Sequence, residues 1–389
     1  MALLLILSYA AVSHTILEVS TTGESDDDSV FVAVLGVPLI VLGVCIILKC
    51  FIVLVGFKRT TILTWSPSPL SNTFAAITAG QVARREGLCM YNILDVIRVE
   101  NSPGTSFPPK KPSAVQPSAW RTRRGIRRTV IALWVLVVAC GVWGGIIVAV
   151  WGNTSLKEVT PGLESWSIVP NSRSNAVKIP LVFNSALNWF TCFCVLVVVQ
   201  GSLTLALHCC ELIVNVLRDE AIWRKATTKG GTKSSDVLRS FGSFWPSIAL
   251  LMGKAVLQWL FGFCLSLEGS LILGAGCELA SNDATNPCGN IVALPIVMRS
   301  IQIWYLTIAL GLFSTVMTFL ATYQPRGPQP AAYGHTQTLA NLIDDWSPSM
   351  TMWWGHKDGG GYEKDGEYIF HAGTNSSPLP GVKLDGLYA

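Results

Sequence analysis

Five stretches of this chain stay apolar for the length of a bilayer crossing, and polar, charge-bearing segments separate them. The stretch at 129–151 fixes how the others are read. It carries no charged residue and would extend about 34 Å as a helix, enough to cross a membrane. Arg121, Arg123, Arg124, Arg127 and Arg128 precede it, and the acceptor sequence Asn153-Thr154-Ser155 follows. Clustered arginines stay in the cytoplasm, whereas an acceptor asparagine is used only on the luminal or extracellular side. The two signals agree on direction, and Asn153 is the expected glycosylation site.

Taken in order from that anchor, spans are expected at 30–57, 129–151, 186–211, 244–270 and 300–323. Cytoplasmic segments fall at 58–128, 212–243 and the tail 324–389, and luminal loops at 152–185 and 271–299. The loop 58–128 holds twelve Lys or Arg against three acidic residues, which makes it the firmest cytoplasmic assignment. Residues 1–12 are apolar but too short to span and read as a signal peptide, with an ordinary hydrophobic N-terminus as the alternative. The acidic segment 13–29 reads as disordered and luminal. This places the N-terminus outside and the C-terminus in the cytoplasm, in the plasma membrane or the secretory pathway. The fold class is an all-α polytopic helix bundle of about five spans, with a mostly irregular cytoplasmic loop and tail.

Shorter periodicities add detail. Met90, Ile93, Leu94 and Ile97 repeat at i, i+3, i+4, i+7, and so do Leu339, Leu342, Ile343 and Trp346. Each set predicts a short amphipathic helix, and the second is expected to dock, because an isolated helix that short is marginal in water. Gly141, Gly145 and Ala149, and likewise Gly262, Ser266, Ser270 and Gly274, recur at intervals of four and predict close helix contact. Pro325, Pro328 and Pro330 end the last span, and little beyond the second amphipathic stretch promises a core.

Composition supports the membrane assignment. Half of the 389 residues are hydrophobic and 13% are charged, with a mean hydropathy of +0.47, more than a soluble domain buries. The net charge of +4 is unevenly spread, so the basic residues report orientation and argue against nucleic acid as a partner. The bilayer is the expected partner, with unidentified proteins on the cytoplasmic side.

Candidate chemistry is sparse. Five histidines show no metal-binding spacing, and neither a phosphate-binding nor a nucleophile-elbow motif occurs, so no cofactor, metal or enzymatic activity is expected. His335, His356 and His371 with Asp344 and Asp345 read as solvated or helix-capping rather than as a metal site. Cys277 and Cys288 share a luminal loop and are expected to form a disulfide. Cys50, Cys209 and Cys210, near cytoplasmic span ends, are candidate palmitoylation sites. Inside the bilayer, depth counted from Trp189 and Glu268 sets Gln200 level with Gln258, about 16 and 15 Å in. Thr204 and Lys254 follow at about 22 and 21 Å. Polar residues at that depth are functional candidates by default.

The tail motifs YGHTQTLANLIDDW at 333–346, WWGHKDGG at 353–360, HAGT at 371–374 and the terminal PLPGVKLDGLYA resemble multi-span membrane proteins of filamentous fungi without an established function, as does TWSPSPL at 64–70. The resemblance implies topology and supplies no catalytic residues. The first functional reading is therefore a non-enzymatic scaffold or regulatory subunit acting through the cytoplasmic loop and tail. The alternative is a small-molecule or ion transporter or channel subunit with a polar site around Lys254.

Overall fold

The computed structural model describes residues 1–22, 30–101, 107–153, 165–171, 174–179, 185–233, 244–273, 289–293, 295–345, 351–364 and 366–389. Its helices are α1 (Ala2–Thr15), α2 (Gly36–Arg59), α3 (Pro69–Thr78), α4 (Ile93–Glu100), α5 (Ala119–Thr122), α6 (Arg124–Asn153), α7 (Ser185–Arg224), α8 (Trp245–Cys264), α9 (Ser300–Thr322) and α10 (Thr336–Leu342). Five of them, α2, α6, α7, α8 and α9, are long and apolar enough to cross a membrane, and the chain is an integral membrane protein. In α2 the side chains of Ile40, Ile47, Phe51 and Leu54 are exposed, and an apolar surface left uncovered by protein is the one a bilayer covers.

The chain folds as two compact units. The first comprises Met1–Arg59, Ile131–His208 and Met252–Ser314, and the second Thr60–Val130, Cys209–Leu251 and Thr315–Ala389. In the first unit, glycines set the helix contacts. A Cβ on Gly201 of α7 would approach Ile6 of α1 to 2.6 Å, and one on Gly253 of α8 would meet the Phe313 ring of α9 at the same distance. Gly144 of α6 lies against Ile303 and Trp304 of α9, while Gly145 faces open space. The α6 contact therefore runs through Gly141 and Gly144, not along the expected Gly141, Gly145, Ala149 row.

The all-α expectation holds for the spans and fails for the segments that join them. In the first unit, strands β1 (Ile16–Thr22), β2 (Val30–Val34), β3 (Ala176–Ile179), β4 (Leu265–Leu273), β5 (Gly289–Ala293) and β6 (Ile296–Arg299) form one sheet of order β2-β1-β4-β6-β3, with β5 also paired to β4. The span expected to reach residue 270 stops at Cys264. Beyond it, Leu265, Leu267, Leu271 and Leu273 keep the two-residue alternation of a strand, which overrides the four-residue spacing of Ser266 and Ser270. At this sheet Arg299 donates to Ser266 Oγ (2.7 Å) and Glu268 Oε1 (2.9 Å), and Lys178 pairs with Glu268 Oε2 (2.8 Å).

The second unit corrects the expectation of an irregular loop and tail. Strands β7 (Trp353–Lys364), β8 (Glu367–Asn375) and β9 (Leu387–Tyr388) form a three-stranded sheet. Leu70 from α3, Cys89 and Met90 from the loop, Ile222 and Trp223 from α7, Leu339 and Leu342 from α10, Trp354 and Tyr388 share one buried core. Trp223 and Trp354 meet edge to face, with centroids 6.3 Å apart. The 40 residues of α7 extend about 60 Å, twice a hydrocarbon thickness, so the helix continues well past its expected end at 211. The amphipathic segment begins its helix at Ile93 rather than Met90, because Asn92 and Asp95 form a capping box there.

Candidate functional site

Within the first unit the intramembrane polar residues pair across helices. Gln258 Nε2 of α8 donates to Thr204 Oγ1 of α7 at 3.0 Å, and one turn along both helices Lys254 Nζ lies 3.5 Å from His208 Nδ1. Gln200 is not on this ladder, since its Oε1 accepts from Ser13 Oγ of α1 at 2.9 Å. Gln258 and Lys254 thus pair one turn further along α7 than the levels counted on continuous helices, and the helix that carries them ends at Cys264, short of the Glu268 from which depth was counted. Lys49 Nζ of α2 donates to Ser8 Oγ of α1 at 2.7 Å. Tyr9 of α1 also sets its ring edge-on to His208. Helix α1, which holds the segment 1–12 read as a signal peptide and runs on to Thr15, thus supplies the partners of Lys49 and Gln200, and Ala10 and Ala11 are completely buried.

In the second unit, the proline-rich segment after α9 is stitched to the end of α7. Prolines have no N–H, so their neighbourhood offers carbonyls for side chains to satisfy. Trp223 Nε1 donates to the Pro330 carbonyl, and Arg224 donates to the carbonyls of Arg326 and Gln329. Glu220 Oε2 accepts the N–H groups of Ala332 (3.0 Å) and Tyr333 (2.8 Å), while its Oε1 lies 2.8 Å from Arg224 Nε. Tyr333 has a φ of 46°, held by the Glu220 contact, by Arg123 on its carbonyl and by its hydroxyl on the Pro117 carbonyl. Burial pushes the Tyr333 phenol above its ordinary pKa, with the nearby Glu220 charge adding to it. Gly334 follows at φ 67°, where a Cβ would strike Asp219.

Asp344 ties α10 to the tail sheet. Its carboxylate accepts from Lys357 Nζ (2.9 Å), His371 Nε2 (3.2 Å), Thr374 N–H (2.6 Å) and Thr374 Oγ1 (3.1 Å). Burial pushes its pKa up, but the hydrogen bonds from His371, Lys357 and Thr374 outweigh that and hold it well below the usual carboxylate range. His371, whose Nε2 meets Asp344 and whose Nδ1 lies 3.0 Å from the Ala389 carbonyl, is raised to about 10, first by Asp344 and then by the Cys89 side chain, against the opposing effect of burial. His335 caps α10 by accepting the Thr338 N–H, and burial lowers its pKa. His356 Nδ1 lies 3.1 Å from the Tyr388 hydroxyl. Among the described residues no three His, Cys, Asp or Glu side chains group as metal ligands would.

Leu339, Leu342 and Ile343 are buried against α3, α4 and β8, whereas Trp346 lies outside the described residues. Cys277, Cys288 and the side chain of Asn153 lie outside them as well. Cys50 and Cys209 are exposed, but Cys210 is fully buried and offers no thiol for acylation in this structure. Ser13, Glu220 and Gln116, whose Oε1 accepts the Ala331 N–H, went unrecognised in the sequence. Only Glu220 carried a local signal, its i,i+4 spacing to Arg224. Neither a family model, a curated protein nor a solved structure matches the chain.

Proposed function

We propose that this protein is a non-enzymatic membrane scaffold or regulatory subunit acting through a folded module on the cytoplasmic face. The observation that carries the reading is the shared core of the second unit, in which loop, tail and the end of α7 contribute to one hydrophobic cluster. A tail serving only as a tether has no reason to bury Trp223, Trp354 and Tyr388 together. The cytoplasmic assignment is supported by the arginines before α6 and the basic loop 58–128. It puts Asn153 and the expected Cys277–Cys288 disulfide on the opposite side. The resemblance to fungal multi-span proteins fits this organisation. Two measurements test it. An Asn153→Gln variant should lose a glycosidase-sensitive mass shift while Asn375→Gln keeps it, and modification at Asn375 would reverse the orientation. Protein partners recovered after gentle detergent extraction should be lost with Leu342→Glu, and their persistence would separate function from the module.

The ladder of Thr204, Gln258, His208 and Lys254 favours a second reading, a transporter or channel subunit, because such residues are conventional linings for ion and solute paths. Five spans lack the even pair of repeats many transporters use. Flux in liposomes that disappears with Lys254→Leu would decide for transport.

A further inference from the structure

A cavity of about 440 Å³ opens in the second unit where the end of α7, the start of α8 and the end of α9 come together. That volume falls in the range of small-ligand sites. Its lining separates into two kinds of surface. Phe319, Trp245 and Tyr323 are largely exposed at the ends of two apolar spans, and Trp and Tyr there are residue types that gather at a membrane interface. Behind them, Glu220 is already neutralised by Arg224 and by two backbone N–H groups, and Arg224 is already committed to Glu220 and two carbonyls. What remains is a set of donors. The exposed Arg326 guanidinium, the Tyr323 hydroxyl and the Trp245 indole N–H have no hydrogen-bond partner among the described residues.

We infer that this cavity binds the phosphate of an anionic phospholipid. A lining whose carboxylate is ion-paired with Arg224, and which leaves a second guanidinium, a phenol and an indole N–H open, favours an anionic oxygen, and the aromatic mouth favours a ligand that continues into hydrocarbon. The leaflet follows from the orientation argued above and rests on it: the cytoplasmic leaflet, where anionic lipids give a negative surface potential. Lipid occupancy at this point would bear on the segment 325–333, whose carbonyls and N–H groups are held by the same Glu220 and Arg224 that floor the cavity.

The test uses the full chain purified in a nonionic detergent, with phosphatidylserine, phosphatidylcholine and inorganic phosphate added separately and retention read by native mass spectrometry and thermal shift. Phosphatidylserine should bind in preference to phosphatidylcholine. Arg326→Gln should weaken it at least about tenfold, as expected for a lost charged hydrogen bond, and Arg326→Lys should restore part of the loss. Arg98→Gln, an exposed arginine remote in sequence, should change nothing. Equal retention of the two lipids, or equal loss with Arg98→Gln, would overturn the site in favour of diffuse surface charge. Saturation by inorganic phosphate at the same concentrations would overturn the lipid in favour of a soluble phosphate. Thiol labelling of a Ser376→Cys variant in sealed vesicles reports orientation separately. Labelling from outside right-side-out vesicles would overturn the cytoplasmic-leaflet assignment, while the lipid comparison still decides the site.

Discussion

Replacing Asp344 with Asn isolates the bond that closes the tail onto the rest of its unit. The carboxylate receives Lys357, His371 and both the N–H and hydroxyl of Thr374, and its side chain is only 10% exposed. Moving a histidine from 6.5 to about 10 corresponds to an upper bound of about 5 kcal/mol at about 1.4 kcal/mol per pH unit. Cys89 and the Ala389 carbonyl supply part of that shift, and Lys357 is partly solvated, so about 3 kcal/mol is the expected loss in Asp344→Asn. A local opening made easier by about 3 kcal/mol is populated roughly 150-fold more often, and proteolysis follows that population when closing outpaces cleavage. Trypsin should therefore cut the variant at Lys357 and Lys364 about a hundredfold faster than the unmodified chain. The pH profile adds a signature. His371 has a higher pKa folded than unfolded, so its contribution is complete below 6.5 and disappears as pH rises through about 10. Asp344 is shifted the other way, so its contribution is present above its ordinary 3.8 and is lost as pH falls through the lower folded value. Digestion of the unmodified chain should accelerate between about pH 6.5 and 10, and His371→Gln should flatten that rise while retaining the Lys357 contact. Cleavage of Asp344→Asn within twofold of the unmodified rate would refute the lock.

Three further outcomes are expected. Leu342→Glu places a charge at a position 1% exposed and should release the tail to protease, whereas unchanged digestion would mean that α10 contributes nothing to the core. Gly201→Leu drives a side chain into Ile6 and should displace α1, abolishing a cross-link engineered between Ser13→Cys and Gln200→Cys; a surviving cross-link would show that α1 docks elsewhere. A short bifunctional thiol reagent should join Thr204→Cys to Gln258→Cys in preference to Gln200→Cys with Gln258→Cys, and the reverse preference would restore the uncorrected depth count.

The spans were legible because each carries its own signal. Twenty or more apolar residues need no partner to be recognised, and the arginines and the acceptor asparagine assign them a direction without reference to packing. The strands were hidden for the opposite reason. The stretch 265–273 is apolar enough to pass as the end of a span, and only its two-residue alternation, together with pairing partners as distant as Ile16–Thr22, makes it β4. The tail is a stronger case. Leu339, Leu342, Ile343, Trp354 and Tyr388 are too few to form a core alone, so the local pattern reads as a polar tail. Their missing partners are Ile222 and Trp223, more than a hundred residues earlier and attached to a helix whose apolar content had already been assigned to the bilayer.

The same reasoning explains what the prolines conceal. Pro325, Pro328 and Pro330 stop α9, and a proline-rich run after a span invites the reading of an extended connector. Yet a segment in which every second or third residue lacks an N–H forms no regular ladder of its own, and if it is to stay against protein, donors must come to its carbonyls. Trp223 and Arg224 are those donors, Gln329 returns a hydrogen bond to the Trp223 carbonyl, and Glu220 takes the N–H groups of Ala332 and Tyr333. The end of α7 is therefore charged and aromatic because it serves as the template on which the chain leaving α9 is laid. A substitution at Glu220 should loosen the tail well before it disturbs the helix that carries it, since α7 keeps its own backbone hydrogen bonds while Ala332 and Tyr333 lose an acceptor that nothing else nearby replaces.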